Sequence, residues 1–482
     1  MNNTKKLLCT LVAMLTLATG TLASTSCGGA SPDSNGNNIT IEEITPYDGS
    51  NVTITFYHTM GANLQDVLNK TITQFNEIYP NIKIEHTQQG DYDGLRNQIA
   101  QEIAGNRSPS LATCYPDHVA LYNKSKKVVQ LDHYIESDQL VADTTEITGF
   151  TDAQKADFIP AFYEEGKVYG DGYTYTLPLA KSTEMLFYNK TYFDANGYSV
   201  PTTWDEMEAL CKTIKEKESN NVIPLGYDSE ANWFITMTEQ LGSEYTTANG
   251  SDHFLFDNEE NREFVERFTT WYQKGYVTTQ EILGSYTSDL FTETAANKMK
   301  CYMCIGSTGG TSYQTPTLNS DGTYTFEVGL AMIPQIDPEK PKVIQQGPSL
   351  CIFKKENPQE QAAAWLFAKY LTTNVEFQAR YSMQNGYTPV IQSVQENEVY
   401  SDFLAAANTT NGLKAASVKL ALEQMNAYYI SPAFEGSSAA REQVGLLMQA
   451  CFTKAPKEGN ISDFIKQQFK NTVDTLVYDF GY

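Results

Sequence analysis

The order of apolar and polar positions near the start of the folded region predicts alternating strands and helices. Residues 52–58 (VTITFYH) alternate with period two, and residues 61–79 carry apolar side chains on one helical face. A strand at 81–86, a helix at 92–104 and a short strand at 110–115 follow. This β-α-β-α-β order indicates a parallel sheet covered by helices, and ligands of such sheets lie beyond the carboxyl ends of the strands.

The stretch 177–190 (LPLAKSTEMLFYNK) predicts two extended segments separated by a polar bend. Residues 185–188 form an apolar run of buried-strand length, and residues 180–184 are small or polar. A hydroxyl cluster between two extended segments can contact a ligand, but the same residues also suit an ordinary turn. The pattern alone leaves both interpretations open.

Capping residues and turns predict a second half that is rich in helices. Thr203 and Glu206 form a capping-box pattern, and Asn357 followed by Pro358 is typical of a helix start. Short strands are predicted at 223–227, 300–305, 326–332 and 343–353. A chain of 482 residues is too long for one simple core, so we expect two lobes.

The first 26 residues have the pattern of a signal peptide, with Lys5 and Lys6 ahead of an uncharged apolar stretch. The small residues before Cys27 resemble a lipobox, in which the cysteine is acylated and becomes the mature N-terminus. Ser24 stands where leucine is usual, so cleavage without lipidation is the alternative. Residues 27–50 are predicted to form the lipid anchor and a flexible tether. No other apolar stretch is long enough to cross a bilayer.

Charge and composition exclude several kinds of partner and chemistry. The chain has 34 Lys and Arg against 58 Asp and Glu, and nucleic acids need clustered cations, so none is expected as a partner. The five histidines are dispersed, and the C-x-x-C pattern at Cys301 and Cys304 has no second pair, so no metal or cofactor is expected. No catalytic motif occurs, although the many carboxylates leave a hidden glycosidase pair open.

The segment STEMLFYNKTYFDANGYSVPTTWDEM (182–207) resembles the extracellular solute-binding proteins of ABC importers, in the family that includes maltose-binding proteins. Further matching motifs, in the same order as in that family, are FYHTM (56–60), FNEIYPNIKI (75–84), GDYDGL (90–95), GSTGG (306–310), QGPSL (346–350) and GYTPV (386–390). The resemblance is strongest to the branch that binds glycerol-3-phosphate and glycerophosphodiesters. It implies an α/β, two-lobe fold with discontinuous lobes and a ligand cleft between them.

The resemblance also implies most of a ligand site. By it, Tyr92 would line the cleft, Ser182 and Ser307 would present hydroxyl groups, and Gly347 would present a backbone amide. The branch has a carboxylate directly after a tyrosine, whereas here Asp117 comes one residue later. From the residues alone, the two serines could equally cap turns, and Tyr92 could equally be a core or helix residue.

Three further residues would hold the ligand's phosphate and its organic part. Tyr387 and Arg441 would close on the phosphate, and Trp233 would stack on the glycerol or head group. From the residues alone, Arg441 could equally be a surface residue or part of an ion pair. Trp233 could equally pack in the core of a lobe, and Tyr387 could simply stabilise its turn. An arginine in a first helical turn suits an anion that also contacts the helix amides.

We therefore expect a monomeric binding lipoprotein, with no enzymatic activity, that is held outside the membrane by Cys27. It would deliver its solute to the membrane subunits of an ABC permease by hinge closure. The division expected from the sequence is 51–160 plus about 296–343 for the N-terminal lobe, and about 161–295 plus 344–482 for the C-terminal lobe. Open alternatives are a ligand that is a neutral mono- or oligosaccharide, a secreted hydrolase, and an adhesion lipoprotein without transport.

Overall fold

Two five-stranded sheets, each with its own hydrophobic core, organise the chain. The computed structural model describes residues 44–218, 220–294, 298–409, 412–457 and 459–482. In chain order the strands are β1 Val52–His58, β2 Ile82–Gln88, β3 Leu111–Cys114, β4 Leu177–Pro178, β5 Glu184–Asn189, β6 Leu225–Tyr227, β7 Val277–Thr279, β8 Met303–Ser307, β9 Val328–Ala331, β10 Val343–Ile344, β11 Ser349–Ile352 and β12 Tyr428–Tyr429.

The helices cover the sheets. In chain order they are α1 Ala62–Ile78, α2 Tyr92–Ala104, α3 Pro116–Asn123, α4 Asp132–Glu136, α5 Asp152–Asp157, α6 Pro160–Glu164, α7 Lys190–Asn196, α8 Trp204–Lys217, α9 Glu230–Leu241, α10 Glu259–Gln273, α11 Gln280–Leu283, α12 Ser288–Phe291, α13 Pro358–Thr373, α14 Val375–Asn385, α15 Glu398–Ala405, α16 Leu413–Glu423, α17 Ser437–Lys454 and α18 Ile461–Phe480. Short 3-10 segments include Glu165–Lys167, Thr308–Gln314 and Met425–Ala427.

The first lobe contains the sheet β2-β1-β3-β11-β4, in which β1, β2 and β3 are parallel and β11 runs antiparallel to β3 and β4. This confirms the parallel β-α-β-α-β unit that the apolar pattern predicts. The second lobe contains the sheet β7-β6-β8-β5-β9, with β6 parallel to β7 and β8 and with β5 antiparallel to β8 and β9. The predicted helix starts are also present, since Thr203 and Glu206 form a capping box and the Asn357 side chain caps α13.

Over the described residues, the chain passes between the lobes three times. One passage joins β4 to β5, a second joins β10 to β11, and a third runs from the 3-10 segment Met425–Ala427 into β12. The first two passages are bridged at Ser182 and Gln346, whose backbone amides donate to each other's carbonyls over 2.9 and 2.8 Å. In the third, β12 pairs with β10 as a parallel two-stranded ribbon. These bridged passages form the hinge.

The lobe boundaries differ from those expected from the sequence. Residues 303–307 and 328–331, assigned there to the N-terminal lobe, form β8 and β9 of the second sheet. Conversely, β11 and α13, assigned to the C-terminal lobe, join the first sheet and its core. The apolar pattern shows that a segment is a strand but does not show which sheet it joins, and this explains the error.

The start of the first lobe also lies earlier than predicted. Tyr47 is only 3% exposed, belongs to the first-lobe core and packs edge-on against Tyr79. The tether predicted for 27–50 therefore does not extend over 44–50. The predicted signal peptide and Cys27 lie outside the described residues. In the part of the chain that the structure describes, no helix is both long enough and apolar enough to span a membrane.

Candidate ligand site between the lobes

A cavity of about 120 Å³ lies where the two lobes and the hinge meet. Tyr115 and Asp117, at the start of α3, line it from the first lobe. Gln345 lines it from the hinge, while Tyr245 and Arg441 line it from the second lobe. Sites at the carboxyl ends of parallel strands are expected in such sheets, and Tyr115 directly follows β3.

Arg441 lies in the first turns of α17, a helix whose start is set by Gly436 in the left-handed region, at φ 103°. Its guanidinium donates to the Asn232 side-chain carbonyl, on α9. Within the described ranges Arg441 makes no ion pair, which leaves donors of a permanently charged group at the cavity wall. Ser437, the first residue of α17, does not cap the helix, because its hydroxyl bonds to the Phe434 backbone.

Two carboxylates also reach the cavity. Asp117 is a half-buried side chain in the first turn of α3. Glu165 is 3% exposed and pairs with Lys181, which is fully buried on the first hinge passage. Its other carboxylate oxygen accepts from Gln345 Nε2 at 2.9 Å. The cavity wall therefore carries one arginine and two acidic side chains.

Several buried polar atoms of the cavity wall have no hydrogen-bond partner among the described residues. They are the Tyr245 hydroxyl, the Thr246 hydroxyl, and the side-chain carbonyl oxygens of Gln345 and Gln346. A buried polar group without a partner costs about 1–3 kcal/mol. Four such groups around one cavity are well suited to a ligand that carries both hydroxyl groups and acceptor oxygens.

A cluster of tyrosines continues the site away from the cavity. Tyr92 and Tyr115 have ring centroids 4.5 Å apart, and Tyr387 lies 5.9 Å from Tyr381. Burial raises the pKa of the Tyr115 and Tyr387 hydroxyls, so both remain neutral donors. Tyr387 also presses on Gly309, where an added Cβ would lie 2.8 Å from the ring.

Ser307 belongs to the same region but acts as a local cap. It ends β8, and its hydroxyl accepts from the Gly309 amide at 3.2 Å. Ser307 and Tyr387 thus both contact Gly309, Tyr92 packs on Tyr115, and Asp117 and Arg441 line the cavity together with Tyr115. Of the eight predicted residues, the structure places Asp117 and Arg441 in the cavity wall and Tyr92 against a residue of that wall.

Ser182 and Gly347 lie in the hinge, not in the cavity wall. Ser182 is 3% exposed and bridges the two hinge passages through its backbone. Gly347 has φ 100°, and a Cβ there would lie 2.5 Å from the Ala180 carbonyl oxygen. Close approach of two backbone segments explains why glycine occupies this position.

The predicted role of Trp233 as a ligand platform is wrong. Its side chain is fully buried in the second-lobe core, stacked on Tyr227 at 4.7 Å and packed against Phe268 at 4.2 Å. Tryptophan supplies a large apolar surface, and in this helix that surface faces the sheet and not the cleft. The sequence does not distinguish the two roles, because both place an aromatic residue on an amphipathic helix.

Several cavity residues are not among those predicted from the sequence. Tyr245 and Thr246 belong to the loop after α9, and Glu165 to a short 3-10 segment, and neither has a motif around it. Gln345 immediately precedes the QGPSL motif, which was the only available signal. Neighbours in the cavity come from distant parts of the chain, so spacing along the sequence does not reveal them.

Polar contacts join the lobes beside the cavity. Arg96, on α2, donates to the Ser438 hydroxyl at 2.9 Å and lies 3.6 Å from the Glu442 carboxylate, both on α17. Lys124 and Glu435 form a second pair at 2.6 Å. These contacts hold the start of α17, which bears Arg441, against the first lobe.

The chain belongs to the bacterial extracellular solute-binding protein family, whose sequence profile matches residues 70–408. Proteins of this family bind small solutes outside the cytoplasm and deliver them to ABC permeases. By its family, this chain is therefore an extracellular solute-binding protein and not an enzyme. The family expected from the sequence motifs is confirmed.

The sequence relatives lie near the glycerol-3-phosphate branch. A segment of 169 residues is 27% identical to the sn-glycerol-3-phosphate-binding periplasmic protein UgpB of Shigella dysenteriae, and the homologue of Escherichia coli strain K12 matches equally. The match covers 34% of this chain and only 35% of those relatives.

Solved structures extend the likeness in fold to most of the chain. UgpB of Mycobacterium tuberculosis, in complex with glycerophosphocholine, superposes with a TM-score of 0.68 at 16% identity, over 89% of this chain and 98% of that one. The substrate-binding protein Lmo0181 of Listeria monocytogenes, in complex with cycloalternan, superposes with a TM-score of 0.68 at 17% identity, over 89% of this chain and 99% of that one. These confirm the two-lobe binding-protein fold.

Proposed function

We propose that this protein captures glycerol-3-phosphate or a glycerophosphodiester between its lobes and delivers it to an ABC permease. The observation that carries the proposal is Arg441, a guanidinium at the cavity wall that has no carboxylate partner within the described ranges. A guanidinium offers two parallel donors to phosphate oxygens and keeps its charge at every physiological pH. The names of the sequence relatives point to the same ligand class.

The rest of the wall fits the glycerol part of such a ligand. Gln345 and Gln346 offer acceptor oxygens to ligand hydroxyl groups, and Tyr245 and Thr246 offer hydroxyls that can donate or accept. Asp117 is a further acceptor on the opposite lobe. A ligand that bonds to both lobes stabilises the closed form, which is the physical basis of capture by hinge closure.

The size of the cavity favours a compact ligand. At about 120 Å³ it is of the same order as an engineered cavity of roughly 150 Å³ that binds benzene. An oligosaccharide would have to extend well beyond it, whereas a phosphorylated three-carbon polyol places its phosphate and one or two hydroxyls inside.

A neutral monosaccharide is the second candidate, favoured by one specific observation. Two carboxylates, Asp117 and Glu165, line the cavity together with Tyr115 and Tyr245. Carboxylate acceptors and aromatic rings suit the hydroxyls and apolar faces of a sugar. For this candidate Arg441 would act as an ordinary hydrogen-bond donor, and its charge would contribute little.

Calorimetric titration of the purified protein with glycerol-3-phosphate, glycerophosphocholine, glucose and maltose distinguishes the two candidates. Arg441→Ala should weaken phosphate binding by about a hundredfold or more, because it removes a charge-assisted pair in a largely buried site. Arg380→Ala is the matched control, since Arg380 is exposed and pairs with Glu376 on its own helix. Undiminished phosphate binding by Arg441→Ala would refute the phosphate assignment, and sugar binding alone would establish the second candidate.

We also propose that Cys27 carries the lipid that holds the protein at the membrane. The support is the signal-like pattern of residues 1–26 followed by small residues and one cysteine. Cys27→Ser should abolish incorporation of a labelled fatty acid into the protein. Incorporation that persists in the substituted protein would show that Cys27 is not the lipidated residue. We further propose that one chain acts alone, since residues of a single chain line the cavity from both lobes.

A further inference from the structure

A buried carboxylate lies behind the arginine of the proposed site. Glu184 is 2% exposed and is the first residue of β5, directly after the chain enters the second lobe. Its carboxylate accepts from the Tyr227 hydroxyl at 2.6 Å and from Asn232 Nδ2 at 2.7 Å. The predicted ligand residues do not include it, and it does not line the cavity.

Asn232 connects this carboxylate to the cavity. Its side-chain NH₂ donates to Glu184, and its carbonyl oxygen accepts from the Arg441 guanidinium. Asn232 is itself 4% exposed, so its amide is held in one orientation by these two bonds. Glu184, Asn232 and Arg441 form one continuous hydrogen-bonded chain, from the second-lobe sheet to the cavity wall.

The charged and titratable groups around Glu184 act in opposite directions. The pKa of Glu184 is raised to about 7, chiefly by burial and with a smaller contribution from Asp228. The hydrogen bonds from Tyr227 and Asn232 and the charge of Arg441 oppose that rise. Tyr429, whose hydroxyl bonds with Thr236, also faces the carboxylate and stays neutral because burial raises its pKa.

We propose that Glu184 is the positioning residue of Arg441, and that an anion bound at Arg441 causes Glu184 to take up a proton from solvent. The inference rests on the proposed function, because it requires an anionic ligand at that arginine. An ionised Glu184 cancels much of the positive charge that the cavity presents. An anion placed on the far side of Arg441 raises the cost of keeping Glu184 ionised, so the carboxylate becomes a neutral acid in the complex.

The direction of the effect follows from linkage. When binding raises the pKa of a group, protons are taken up and affinity increases as the pH falls through that pKa. Each unit by which the anion raises the pKa of Glu184 corresponds to about a tenfold gain in affinity between the alkaline and the acidic limit. A neutral sugar would not produce this dependence.

Calorimetric titration with glycerophosphocholine tests this, because its phosphodiester does not titrate over the range used. From pH 8.5 to pH 6 the wild-type affinity should rise by about five- to tenfold. Titrations near pH 7 in buffers of different ionisation enthalpy should show net proton uptake. Glu184→Gln should bind at pH 8.5 as tightly as wild type does at pH 6, with a flat pH profile, since its amide can still accept from Asn232 and donate to Tyr227.

A second variant tests the same network without altering the charge. Tyr227→Phe removes one hydrogen bond to the carboxylate but keeps the ring that stacks on Trp233, so the midpoint of the pH profile should move to higher pH. Glu230→Gln is the matched control, because Glu230 is also a buried carboxylate, bonded instead to Thr279. It should leave the profile unchanged.

Two distinct outcomes would refute this inference. If wild type binds the diester with a flat profile and no proton uptake, and Glu184→Gln is identical to it, Glu184 has no part in binding although the proposed function stands. If wild type binds neither glycerophosphocholine nor glycerol-3-phosphate at any pH, the proposed function fails and the inference fails with it.

Discussion

Replacing Gly347 with alanine should disrupt the hinge more than an ordinary substitution in a turn. Gly347 lies on the second hinge passage at φ 100°, where it packs directly on the first passage. An alanine Cβ would lie 2.5 Å from the Ala180 oxygen, 2.7 Å from the Lys181 Cα and 2.9 Å from the Ser182 nitrogen. All three are backbone atoms, so rotation of a side chain cannot relieve the overlap.

The free-energy cost has two parts. An L-residue held at positive φ loses about 1–2 kcal/mol. Carbon atoms in contact prefer separations of roughly 3.5–4.0 Å, so the hinge passages must also move apart by about 1 Å. That movement lengthens the paired Ser182 and Gln346 hydrogen bonds, now 2.9 and 2.8 Å, and each is worth about 1 kcal/mol. The total for Gly347→Ala is about 3–4 kcal/mol.

Urea unfolding measures this cost, and Gly322→Ala is the matched control. Gly322 also has positive φ, at 83°, but a Cβ added there meets nothing within 4 Å. Gly322→Ala should therefore lower the free energy of unfolding only by the cost of positive φ, about 1–2 kcal/mol. The two variants should then differ by about 2 kcal/mol in the free energy of unfolding. Equal losses would show that the hinge passages are not in the tight contact on which this reasoning depends.

Three other substitutions test separate parts of the structure. Lys181→Met should cost about 3–5 kcal/mol in unfolding free energy because it leaves the Glu165 carboxylate buried without its cation, and adding Glu165→Gln should recover most of that loss. Trp233→Phe should cost about 2 kcal/mol and leave ligand affinity unchanged; a marked loss of affinity in calorimetry would restore its predicted role at the ligand. Glu184→Gln should stabilise the protein by about 3 kcal/mol at pH 8 but by less than about 1 kcal/mol at pH 5 in urea unfolding. The sign follows because burial raises the folded-state pKa of Glu184 from 4.5 to about 7, so the wild-type protein loses stability as the pH rises from 4.5 to 7. Equal gains in stability at both pH values would contradict this reasoning.

Local physical signals predicted the elements of the fold well. The apolar pattern located β1, β2 and β3 with their helices, and the two extended segments of 177–190 are β4 and β5. The polar bend between them is neither a plain turn nor a cavity wall. It is a hinge passage, with Lys181 and Ser182 buried. Periodicity and capping act over a few residues, which is why they were reliable guides at this scale.

Long-range placement could not be predicted in the same way. The sequence pattern marks 303–307 and 349–352 equally as buried strands, yet they join different sheets. Asp117 and Arg441 reached the same cavity as the family resemblance implied, whereas Trp233 turned into the core. Which side of a helix faces the cleft depends on how the lobes pack, and no residue pattern along a single helix records that.

The cavity and the hinge share residues, and this links ligand contact to lobe movement. Glu165 reaches the cavity with the same carboxylate that binds Lys181 on the first hinge passage, Gln345 on the second, and Ser349 at the start of β11. A ligand hydroxyl that bonds to Gln345 would therefore act on a side chain already joined to both passages. Because buried polar networks have few alternative arrangements, such a contact favours one hinge geometry over others instead of stiffening the hinge in general. Closure requires that the ligand bind the closed form more tightly than the open form. Contacts at the hinge, and not only contacts across the cleft, can supply that difference in affinity.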